Sequence, residues 1–274
     1  MFIVLESLDG VGKTTLTKGL AERLQGVAMN TPGKQLRQIS NKILDGLGPN
    51  QEARCLFYAS SVIAKGAEAR RLVQAGNFAI MDRYWLSTIS YARARGVHHS
   101  LHDIEAMIPR PDLTILLTLD ESIRKKRLNK RGLTAADRET LDPTFREVVL
   151  TAMTDPNRVP GLQPQISIDL TGKSEDVAVS WVFQKILQFI NGGMQRGDAG
   201  LRQTTLLVDR AAAMASSKAV QCTTRVRPAQ KKGHDQRIPT DRFCSFNLES
   251  RETDWNGPAF RRRPAETETP SRRK

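Results

Sequence analysis

The sequence predicts an α/β domain in which five parallel strands form a sheet covered by helices on both faces, followed by a basic tail with no core of its own. Three observations carry that prediction. Short β-branched apolar runs alternate along the chain with longer segments whose apolar residues recur every three or four positions. The run LTILLTL is apolar throughout, as a central parallel strand buried on both faces must be. The chain also opens on a strand, a glycine-rich loop and a helix in direct succession.

FIVLES is the first strand, and KTTLTKGLAERL follows as a helix with Leu16, Leu20 and Leu24 on one face. VAMN reads as a weak second strand. PGKQLRQISNKILDGL then places Leu36, Ile39, Ile43 and Leu47 at helical spacing, and a long helix runs from about Asn50 to Gln74. NFAIMDRY is a buried strand ending in charge, LSTISYARARG a helix and DIEAMIP a short one. After LTILLTL come the basic helix DESIRKKRLNKRG running into a loop, the helix TFREVVLTAM, the last strand QISIDL and the closing amphipathic helix SEDVAVSWVFQKILQFI.

The domain is therefore expected over residues 1–190, and residues 191–274 form the tail. That tail carries 17 Lys and Arg against 9 Asp and Glu, a net +8 of the chain's +13. It has almost no sustained apolar periodicity, so burial cannot offset its ordering entropy, and disorder is expected. Its arginine clusters could touch nucleic acid, although solvation is the commoner fate of such runs. Cys55, Cys222 and Cys244 show no metal or redox spacing. No apolar run is long enough for a membrane span, and FIVLES is too short for a secretory core, so the expected location is the cytoplasm, with no membrane partner.

In parallel sheets of this kind ligands bind beyond the carboxyl ends of the strands. Three such ends attract attention. After the first strand, Gly12, Lys13 and Thr14 match the end of the phosphate-loop pattern G-x-x-x-x-G-K-[ST], with Ser7 in place of the first glycine. The loop Ser7, Leu8, Asp9, Gly10, Val11, Gly12, Lys13, Thr14 and Thr15 is the expected nucleotide-phosphate site, where backbone N–H groups of Gly10 to Thr15 would point at phosphate oxygens with the helix N-terminus behind them. Lys13 would bridge the terminal phosphates and Thr14 would bind Mg²⁺. After the third strand, Asp82 could orient the same metal and Arg83 could hold a second phosphate. After the fourth, Asp120 is followed by Arg124, Arg127, Arg131 and Arg138, arranged around an expected loop. Mobile arginines there can close over a transferred phosphoryl group, and Arg131 and Arg138, at the loop itself, are the candidates for that role. Lys125, Lys126 and Lys130 read as a solvated face.

FIVLESLDGVGKTT, DRYWLSTISYA and PDLTILLTLDESIRKKRLNKRG, in that order, resemble the phosphate loop, the D-R-[YS]-x-x-S-x-x-x-Y segment and the lid approach of the thymidylate kinase-like nucleoside monophosphate kinases. The resemblance covers roughly residues 1–190 and implies a P-loop NTPase with a lid at about 129–140. It further implies transfer of the γ-phosphate of ATP, with Mg²⁺, to a pyrimidine nucleoside or deoxynucleoside 5'-monophosphate. Of these, dTMP stands first, with dUMP, dCMP, UMP and CMP close behind. Carried onto matching positions, it gives Asp9 the acceptor's sugar hydroxyl, Arg83 its phosphate and Tyr91 the sugar 2' side. It also implies that Phe57 or Tyr58 stacks on the base, that the lid supplies the catalytic arginine, and that a homodimer is common.

Two departures bear on the base. NTPGKQ stands where the family has R-E-P-G-G-T, so Asn30 replaces an arginine, and Ser61 or Val62 stands where an arginine follows the stacking aromatic. These changes, with FYAS and DRYW, make the chain look closer to the divergent branch that includes the mitochondrial UMP/CMP kinase. Arg37 is left as the candidate for a second acceptor-phosphate contact. Two other readings stay open: a deoxynucleoside kinase, and a non-catalytic nucleotide-binding protein that acts through its basic tail.

Overall fold

The structure is a computed structural model that describes residues 1–155 and 162–195. Five strands, β1 (Phe2–Glu6), β2 (Val27–Asn30), β3 (Ala79–Asp82), β4 (Leu113–Thr118) and β5 (Ile166–Asp169), form one sheet in the order β2-β3-β1-β4-β5. Every pairing is parallel. From the central β1 the chain builds β2 and β3 on one side and then β4 and β5 on the other. The switch in direction thus falls beside the end of β1, where a crevice opens in such sheets.

Strand alternation sorts the core into two layers. Ile3 and Leu5 point to one face, where Leu16, Leu20 and Leu24 of α1 (Lys13–Leu24) and Val179, Val182 and Ile186 of α9 (Glu175–Gln195) cover them. Phe2 and Val4 point to the other. There Ala59, Val62 and Ala69 of α3 (Gln51–Gln74) and Trp85 and Ile89 of α4 (Trp85–Ala94) close the layer. All five β1 side chains are completely buried, so the strand carrying the loop is held from both faces.

The remaining helices are α2 (Lys34–Gly46), α5 (His102–Met107), α6 (Glu121–Arg131), α7 (Ala135–Leu141) and α8 (Pro143–Met153). Each expected strand is present. Three sequence expectations change. The apolar stripe of α2 has the predicted period, yet no residue of that helix is buried and Ile39 stays 46% exposed. The loop expected after α6 shrinks to residues 132–134, because Thr134 and Asp137 form a capping box that starts α7. The closing helix continues to Gln195, past the expected boundary at 190. The basic tail beyond it lies outside the described residues.

Candidate active site at the phosphate loop

Parallel pairing of β1 with β3 sets Leu5 opposite Asp82, so the end of β3 lies beside the loop that leaves β1. Gly10 (φ 86°) and Gly12 (φ 107°) turn that loop in the left-handed region that favours glycine. At Gly10 a side chain is also excluded by space, since a Cβ would stand 2.8 Å from Leu128 Cδ2. Gly10→Ala is therefore expected to lower thermal stability by about 1–3 kcal/mol, read as a drop in Tm. An unchanged Tm would contradict the packing described. Ser7 is fully buried and is not among the described non-glycine residues with positive φ, so its turn needs no glycine.

Lys13 folds back under the loop. Its Nζ donates to Ser7 O (3.0 Å), Ser7 Oγ (2.9 Å) and Leu8 O (2.8 Å). Burial pushes its pKa down to about 8, against the pull of the Asp82 and Glu6 carboxylates. The Thr14 hydroxyl donates to Asp82 Oδ2 at 2.7 Å, while Asp82 Oδ1 is buried with no hydrogen-bond partner. A buried orphan carboxylate oxygen beside a hydroxyl is a donor set suited to a hard divalent cation that takes its other ligands from phosphate and water. The residues fit Mg²⁺.

Arg83 follows with φ 66°, a strained conformation for a non-glycine residue. Its N–H donates to Leu5 O (3.0 Å), and its guanidinium is paired with Asp9 through Nη2 and Oδ1. Behind it, Glu6 is fully buried; it accepts from Tyr84 N (2.8 Å), Ser87 N (3.3 Å) and the Ser87 hydroxyl. Burial raises the Glu6 pKa, and the hydrogen bonds from Ser87 oppose the rise. Glu6 thus does for the start of α4 what a capping side chain would do, and Asp82 is freed from that task.

Two clefts flank the loop. One, of about 260 Å³, runs from Asp9 and Arg83 past Tyr58 and Tyr91, with Arg37 and Arg95 on its rim. The other borders Val11, Gly12 and Thr15 and is closed by Arg127 of α6 and by Lys173 and Ser174 after β5. A phosphate loop with a cleft on each side can bring two phosphorylated molecules together at one point.

A family model for thymidylate kinase matches residues 5–169, well over half of the chain. The chain belongs to the thymidylate kinase family. The Archaeoglobus fulgidus protein named Probable thymidylate kinase is 33% identical over 144 residues, which span 48% of this chain and 71% of that one. Thymidylate kinase from Xylella fastidiosa is 29% identical over 195 residues, 65% of this chain and 86% of its own. Among solved structures, thymidylate kinase from Candida albicans superposes with a TM-score of 0.55 at 24% identity, over 69% of this chain and 92% of that chain, a likeness of fold.

Within this thymidylate kinase family member, most sequence candidates converge. Asp9, Arg37, Tyr58, Arg83 and Tyr91 line one cleft. Tyr91 OH lies 3.4 Å from Asp9 Oδ2, so the two residues expected at the sugar are neighbours. Of the two expected stacking aromatics Tyr58 lines the cleft, whereas Phe57 packs against Tyr58 with ring centroids 5.2 Å apart. Ser61 does not face the cleft, because its buried hydroxyl donates to Tyr58 O. Asn30 has acquired a partner: its Oδ1 accepts from Arg37 Nη2 at 3.3 Å.

The lid arginines sort differently from the expectation. Arg131 is half-exposed and tied to the buried Asp137 (2.7 Å), Arg138 is exposed on α7, and neither of them lines either cleft. Arg124 and Arg127 brace the loop itself. Arg124, 1% exposed, donates to Asp9 O (3.1 Å) and to Thr140, and Arg127 donates to Val11 O (3.0 Å). Their spacing with Arg131 on one helix face was the available signal. Arg95 was not singled out by sequence at all: it lies over the Tyr91 ring and holds Glu139 of α7 through Nε (3.1 Å) and Nη2 (2.6 Å).

Proposed function

We propose that the chain is an ATP-dependent nucleoside monophosphate kinase that converts a pyrimidine nucleoside 5'-monophosphate, dTMP first, into the diphosphate. The observation that supports it best is the phosphate loop carrying Lys13 and the Thr14–Asp82 pair, with one cleft lined by Asp9 and three arginines and another lined by Val11, Gly12 and Thr15. In this reading the acceptor's phosphate sits between Arg37 and Arg83, its sugar lies against Asp9 and Tyr91, and Tyr58 stacks on its base. ATP takes the loop and the smaller cleft. An acceptor phosphate oxygen attacks the γ-phosphorus, the bond to the β-phosphate oxygen breaks, and ADP leaves. Lys13 and the Arg131 of the lid stabilise the negative charge of that transfer, and closure of α7 excludes water. Thr14 and Asp82 would hold Mg²⁺, which neutralises phosphate charge when bound.

Three cleft arginines favour a charged acceptor over the uncharged sugar hydroxyl a deoxynucleoside kinase would take. The homodimer belongs to the same reading, supported by α2 and the exposed Leu56 and Ile39, which offer a second copy an apolar face. So does a cytoplasmic site of action; among the described residues no helix is long and apolar enough to cross a membrane.

An ATP-consumption screen against dTMP, dUMP, dCMP, UMP and CMP tests the reading. Turnover is expected with dTMP. A decisive preference for UMP or CMP would move the chain to the divergent branch to which Asn30 and Ser61 point. Phosphorylation of thymidine alone would overturn the monophosphate assignment. Salt-sensitive nucleic-acid binding with no transferase activity, lost on removal of residues 196–274, would favour the basic tail as the working part.

A further inference from the structure

Ser7 occupies the position that the phosphate-loop pattern gives to glycine. Its side chain does more than fill that position. The hydroxyl donates to Leu8 O at 2.8 Å and accepts from Lys13 Nζ at 2.9 Å, and both residues are buried. An ammonium has three donors, and Lys13 directs bonds to three oxygens, Ser7 O, Ser7 Oγ and Leu8 O. With glycine at position 7 only the two backbone oxygens would remain, the residue 7 carbonyl and Leu8 O.

We propose that Ser7 is a positioning residue whose hydroxyl holds Lys13 inward and thereby sets how tightly the loop takes ATP. The inference rests on the kinase reading above. To bridge phosphate oxygens Lys13 must release at least one of its three partners, so the nucleotide competes with the serine for the same ammonium. Charge-assisted hydrogen bonds of this kind are the stronger ones, and both the Ser7 hydroxyl and the Lys13 side chain are buried. Because the Ser7 backbone does not adopt positive φ, alanine can replace it without backbone strain, which isolates the hydroxyl.

The test compares full-length wild type, Ser7→Ala and Ser7→Gly. Each is titrated with ATP plus magnesium, and KM for dTMP and kcat are measured separately. Both variants should bind ATP about tenfold more tightly, while KM for dTMP stays within twofold of wild type. A role in packing alone would lower Tm and leave the ATP dissociation constant where it was. Unchanged or weaker ATP binding in both variants overturns the proposal. If wild type turns over dTMP and the variants bind ATP no better, only the role of Ser7 falls. If wild type neither binds ATP nor turns over any monophosphate, the kinase reading falls, and the role of Ser7 with it. Should Ser7→Ala fail to fold, Ser7→Gly alone decides, since relatives of the pattern carry glycine there.

Discussion

Lys13→Ala should lower kcat by roughly a thousandfold, the loss expected when one donor aimed at the charge of a transition state is removed from a closed site. The residue is buried, and no water can stand in for its charge. Retention of more than a tenth of wild-type turnover would contradict the role given to it. A pH profile checks the same residue independently. Burial brings Lys13 to about pH 8, so the cation that phosphate needs is present below that value and is lost above it. The profile of kcat/KM for ATP reports the free enzyme and should therefore fall as pH rises through about 8, by about tenfold per further unit. Lys13→Arg, charged at every accessible pH, should flatten the fall even if its overall rate is low. A wild-type profile that stays level to pH 10 would count against a neutralised lysine.

Arg83→Ala should cut kcat/KM for the acceptor by roughly a hundredfold and leave ATP binding within about threefold. The asymmetry follows from placement, since Arg83 lines the Asp9–Tyr91 cleft and not the one closed by Lys173. Equal loss toward both substrates would contradict that assignment. The backbone supplies a control. At φ 66° glycine is the relaxed residue, so Arg83→Gly should lose the same activity yet melt higher than Arg83→Ala, by about 1 kcal/mol. Strain at this position is held by Glu6, which fixes the next peptide through Tyr84 N, and by Leu5 O, which accepts from Arg83 N.

Most of the fold was legible. Leu16, Leu20 and Leu24 announce a helix by period, and LTILLTL announces a doubly buried strand by its lack of one, because these patterns reflect which faces meet the core. The stripe Leu36, Ile39, Ile43 and Leu47 shows where the logic stops. Periodicity states that a face is apolar, not that this chain supplies its cover, and no residue of α2 is buried.

The candidate site was legible where a motif is contiguous. Ser7 to Thr15 form one loop, and Asp82 and Arg83 are adjacent, so local sequence carries their relation. Phe57 and Tyr58 could not be told apart, since neighbours on a helix point about 100° apart and only the packing of α3 decides which one meets the cleft. Arg138 looked better placed than Arg124 while the segment was read as a loop. Once Thr134 and Asp137 start a helix, Arg138 turns outward and Arg124 becomes the buried brace.

What the sequence determined by itself is the order of strands and helices, the phosphate loop and the family of the chemistry, because each is encoded in residues close along the chain. Tertiary structure alone decided that Thr14 meets Asp82 across 68 positions, that Glu6 supports the turn carrying Arg83, and that Ser7 shares its hydroxyl with Lys13. The physical reason is that parallel strands pair residues far apart in the chain, and a hydrogen bond depends on angstroms that spacing along a sequence does not specify.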